Sequence, residues 1–153
     1  MSDGPPFAET DLPRASRVVP APINTVFLTV ADVRKWPAWV PLVLDPVIPQ
    51  DDDHFLFRVG QQTSARSVTV RLALRTPLHL MAFETDERHQ LRIRFRPAAG
   101  GTEVEVVVRP NPQMTRLERL RERRRGRKRA LWAEATLDAL ASFVSEAGPI
   151  TDA

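Results

Sequence analysis

Apolar positions change period several times along the chain, and each change marks an element. Residues 14–19 form a short extended run, and Ala21-Pro22 then opens a helix, because a proline at the first helical position forfeits only an amide that had no partner. Ile23, Val26, Phe27 and Val30 follow at i, i+3, i+4 and i+7, the spacing of one buried helical face. Asp32 is placed to cap a second short helix over 33–40, which carries Trp36 and Trp39 on neighbouring turns and stops at Pro41. Six strand-like runs come next, at about 43–48, 54–59, 65–75, 79–85, 89–96 and 102–109, separated by turn residues.

Two of these runs alternate clearly. Val68, Val70, Leu72 and Leu74 oppose Ser67, Thr69, Arg71, Ala73 and Arg75, and Leu91, Ile93 and Phe95 oppose Arg92, Arg94 and Arg96, so each strand has one core face and one wet face. The Pro97-Ala-Ala-Gly-Gly101 turn predicts a hairpin in which Phe95 faces Val104 and Ile93 faces Val106 inside, while Arg96 meets Glu103 and Arg94 meets Glu105 outside. After Pro110-Asn111-Pro112 the pattern turns helical to about Ala147 and ends at Gly148-Pro149. Ala133, Thr136, Leu137, Leu140, Phe143, Val144 and Ala147 make one stripe. Projected backwards, that stripe runs into Arg129, Gly126, Arg125, Glu122 and Glu118, which predicts a kink or a separate short helix before Gly126.

A chain of 153 residues with 42% hydrophobic content holds one core. The expected division is a disordered arm at 1–12, a domain at 13–148 and a tail at 149–153. Without cysteine there is no disulfide, thiolate metal site or cysteine nucleophile, and a reducing, cytoplasmic location is expected. The acidic, proline-bearing start does not read as a signal peptide, and no run approaches the roughly 18 apolar residues of a membrane span.

The sequence pI of about 10.4 exaggerates a net charge of only +3, because the chain has no Tyr or Cys and only two lysines, Lys35 and Lys128. The basicity is one segment. Residues 116–129 hold Arg116, Arg119, Arg121, Arg123, Arg124, Arg125, Arg127, Lys128 and Arg129 against Glu118 and Glu122, a local +7 that leaves the rest of the chain near −4.

The element order, together with VVPAPINTVF at 18–27 and Ala31-Asp32 followed by Trp36 and Trp39, resembles the START-like or SRPBCC superfamily of polyketide cyclase-like and lipid-transfer-like proteins. The resemblance covers about residues 14–147. It implies an α+β helix-grip fold: a seven-stranded curved antiparallel sheet, β-α-α-β6-α, around a long C-terminal helix, with a cavity between them for a small apolar or amphipathic molecule. The arginine-rich start of the last helix departs from what relatives often carry.

On these assignments the cavity wall is apolar: Phe57, Val70, Leu72, Phe83, Ile93, Phe95, Val104 and Val106, with Trp36, Trp39 and Trp132 near the rim. A filled core is the plainer reading of the same residues. Arg125 and Arg129 face the sheet if the helix is continuous, and there they would pair with the acidic head of a ligand. With a break they point to water. His79 alternates with Met81 and Phe83 and is the one candidate general acid or base for a cyclase-like or hydrolase-like alternative; His54 and His89 read as surface or strand-end residues. No metal-ligand spacing, phosphate loop, nucleophile elbow or dinucleotide fingerprint stands out, so neither metal nor cofactor is expected. A third alternative is docking of an anionic surface through 116–129. Nucleic acid is disfavoured because the segment has no interleaved aromatics to stack bases. Ligand identity and oligomeric state are not legible.

Overall fold

The structure, a computed structural model, describes residues 12–147. Most of the expected arm, and the Gly148-Pro149 stop with its tail, lie outside the described residues. Strand β1 (Arg14–Val19) leads to helix α1 (Ile23–Ala31), a 3₁₀ helix (Val33–Ala38) and six strands: β2 (Val43–Pro49), β3 (His54–Val59), β4 (Arg66–Thr76), β5 (Leu80–Thr85), β6 (Gln90–Ala98) and β7 (Gly101–Arg109). A 32-residue helix α2 (Arg116–Ala147) completes the domain. The strands form one antiparallel sheet in the order β1-β7-β6-β5-β4-β3-β2.

The β6–β7 register is the expected one, with Phe95 facing Val104, Ile93 facing Val106, Arg96 facing Glu103 and Arg94 facing Glu105. The tight turn behind it depends on Gly101. Its φ of 151° is open to glycine, and a Cβ there would lie 2.0 Å from the Val19 carbonyl oxygen, so the close approach of β7 to the end of β1 needs a residue without a side chain. Buried Thr102 ties the same corner by donating to the Ala21 carbonyl at 2.8 Å.

Three local expectations change. Pro22 caps α1 instead of opening its first turn, with its carbonyl accepting from the Val26 amide at 3.1 Å. The second helix is 3₁₀, holds Pro37 inside, and receives no side-chain cap from Asp32; a proline in so short a helix favours the tighter turn. In β4 the alternation fails at Leu74, which is exposed, because the pairing with β5 shifts between Leu72 and Leu74 and turns the later residues outward.

The separate short helix expected before Gly126 is absent: α2 runs through that residue as one continuous helix. Ala133, Leu137, Leu140, Ala141 and Val144 bury its C-terminal half against the sheet, where a fully buried leucine contributes about 1.5–3 kcal/mol. The N-terminal half keeps its phase because Glu122, the buried residue of that half, has charged partners and so can lie on the inner face.

An aromatic cluster fills the concave side. Trp36 packs edge-on to Phe83 at 4.9 Å and to Phe57 at 5.6 Å, Phe27 meets Phe95 at 5.1 Å, and the Trp36 indole N–H donates to the Val30 carbonyl at 2.9 Å.

Candidate ligand cavity

Between the open end of the sheet and the N-terminal half of α2 lies a cavity of about 530 Å³. Phe57 and Val59 of β3 and Val68 and Val70 of β4 form its floor. They reach it because alternate residues of an antiparallel strand share a face. Trp36, Val40, Leu42 and Val43 close one side, and Arg125, Lys128, Arg129 and Trp132 of α2 the other. Trp132 bridges the two sides by donating its indole N–H to the Pro41 carbonyl at 3.0 Å. Exposed Leu42, Ser64, Arg66, Arg125 and Lys128 mark the mouth.

The polar part of the wall is where β5 turns into β6. Thr85, His89 and Gln90 line the cavity there, and the Thr85 hydroxyl accepts from the His89 amide at 3.2 Å. Glu122, one turn before Gly126 on α2, is buried behind His89, with a carboxylate oxygen 3.8 Å from Nε2 of the ring. Arg129 pairs with the same carboxylate, its Nη2 donating at 3.0 Å. Burial pushes the Glu122 carboxyl up. The His89 imidazole and the Arg129 guanidinium outweigh that and bring it down to about 2.

Of the residues expected to bind ligand, the structure brings Trp36, Phe57, Val70, Arg129 and Trp132 to the cavity. Trp39, Phe83, Ile93 and Phe95 are buried in the packed core, and Leu72 is packed against it; none of these five lines the cavity. They lie where side chains meet under the sheet's curve. His79 is not at the cavity either. It is exposed in the β4–β5 turn, one residue before β5 begins, so the alternation with Met81 and Phe83 does not extend to it. His89, read from sequence as a surface or strand-end residue, does sit directly before β6, and it is the histidine in the wall. The available signal was the charged inner stripe of α2: a glutamate on a buried helical face needs a cationic neighbour, and a strand end is one place to supply it. Among the described residues no group of acidic and histidine side chains is arranged to hold a metal ion. No helix there is long and apolar enough to cross a membrane.

A curved antiparallel sheet closed around a long terminal helix, with a cavity between them, defines the helix-grip class of START-like proteins. Residues 19–131 match the family described as polyketide cyclase / dehydrase and lipid transport, and the chain belongs to that family. Among solved structures it is similar to TTHA0849 from Thermus thermophilus, at 17% identity and a TM-score of 0.71, covering 88% of this chain and 97% of that one. It is also similar to a Rhodobacter sphaeroides protein, at 18% identity and a TM-score of 0.64, covering 87% and 90%. The di-domain ARO/CYC StfQ from the steffimycin biosynthetic pathway matches at 14% identity and a TM-score of 0.67 over 90% of this chain. This chain spans about half of StfQ, 52% of its length. At these identities the likeness establishes the fold. Comparison with curated proteins gave no match.

Proposed function

We propose that the protein binds or carries a small apolar or amphipathic molecule in the cavity between the sheet and α2. The cavity itself carries the reading: its volume of about 530 Å³ falls within the 300–1,000 Å³ of small-molecule sites, and its floor is aliphatic and aromatic, with polar groups from the β5–β6 turn, the mouth and α2 around it. Membership of a family whose description includes lipid transport supports the same reading.

Native mass spectrometry of the purified protein, before and after denaturing extraction, tests it directly. A co-purified molecule at near-stoichiometric amount is expected, and Val70→Trp, which fills the floor, should abolish its retention. An unchanged complement of bound molecule in Val70→Trp would place binding elsewhere and defeat the proposal.

A further inference from the structure

The lining is selective in charge as well as apolar. It includes Arg66, Arg125, Lys128, Arg129 and His89, and not one aspartate or glutamate. Three of these groups already face carboxylates: Arg66 faces Glu87, Arg129 faces buried Glu122, and His89 faces both Glu87 and Glu122. Arg125 and Lys128 are different. They sit three residues apart, on neighbouring positions of a continuous helix, both border the cavity, and among the described residues neither has a carboxylate partner. Glu122 therefore neutralises the inner end of the cationic wall and leaves the outer end uncompensated.

Resting on the proposed ligand-binding role, we infer that the occupant is an anionic amphiphile, with its apolar body on Phe57, Val68 and Val70 and a carboxylate head at the mouth between Arg125 and Lys128. A planar guanidinium and an ammonium supply charge-assisted donors to such a head, and the mouth lets it keep part of its hydration. A neutral head of equal length would gain the apolar contact alone. A cationic head would meet repulsion from every charged group on the lining.

The test is a titration of the full chain with dodecanoate, dodecanol and dodecylammonium below their aggregation concentrations, followed by the fluorescence of Trp36 and Trp132, which border the cavity. Dodecanoate should bind at least about tenfold more tightly than dodecanol, with dodecylammonium weakest. Arg125→Gln with Lys128→Gln, both at exposed positions, should bring the acid-to-alcohol affinity ratio to about one; a ratio kept at about tenfold would overturn the head-group assignment, and circular dichroism checks that the helix survives. Equal affinities of the acid and the alcohol in the wild type, both lost in Val70→Trp, would overturn the head-group assignment and leave the cavity reading standing. Dodecanoate binding that survives Val70→Trp would overturn both, assigning the binding to the basic surface outside. Absence of binding by all three would likewise overturn both for ligands of this class.

Discussion

Replacing Glu122 by Gln removes one buried charge from behind the cavity wall and keeps the shape. In the wild type the carboxyl is lowered from its ordinary 4.5 to about 2, so the folded state favours the ionised form. At about 1.4 kcal/mol per decade, that difference bounds the contribution at roughly 3 kcal/mol. Water at the neighbouring cavity screens part of it, so a loss of about 1–3 kcal/mol is expected for Glu122→Gln at pH 7. The sign follows from the lowered value. The stabilisation is complete above about pH 4.5, declines as pH falls, and is gone by about pH 2, so the stability gap between wild type and variant should close over that interval. Urea denaturation at pH 7, 5, 4 and 3, monitored by tryptophan fluorescence, measures the gap at each pH. A variant as stable as wild type at pH 7 would refute the reasoning, because Arg129 and His89 would then not be stabilising the carboxylate. A gap that stays constant from pH 7 to pH 3 would refute it equally.

Gly126 is a second test of the inner face of α2. It has ordinary helical geometry, and an added Cβ would meet only the Pro13 ring, at 3.9 Å, so Gly126→Ala should stabilise by about 0.5–1 kcal/mol and raise the melting temperature by a few degrees; a lower melting temperature would mean that the helix needs glycine there. Gly101→Ala should do the reverse, costing several kcal/mol or preventing folding, since its Cβ would overlap the Val19 carbonyl. Near-wild-type expression and melting of Gly101→Ala would show that the β1–β7 corner is looser than its geometry.

What was legible in the sequence was the part governed by local pattern. The β6–β7 hairpin could be registered to the residue because two faces gave the same answer independently: apolar pairs inside, Arg–Glu pairs outside. The inner stripe of α2 was also visible, including Arg129, Arg125 and Glu122, but charge on a buried face suggested a break in the helix. The structure resolves the conflict through partners that periodicity cannot supply. His89 is 33 residues away from Glu122 in sequence, and only the crossing of α2 over the β5–β6 turn brings the two together. The same limit explains the cavity wall. Inward-facing positions were identified by alternation, yet whether such a side chain lines a void or fills one depends on how the aromatic cluster under Trp36 occupies the space, a property of packed volume.

The ends of the sheet bear on how copies of this protein meet. An exposed edge strand offers a row of free amides and carbonyls on which another chain can polymerise. Here one end is β2, which carries Pro46 and Pro49, residues with no amide to donate, and its own pairing with β3 is irregular between Leu44 and Ile48. At the other end α2 packs along β1, whose Arg14 and Arg17 add charge to the border. A strand arriving at β2 would find a ladder with missing rungs, so the sheet edge nearer the cavity does not invite fibre growth.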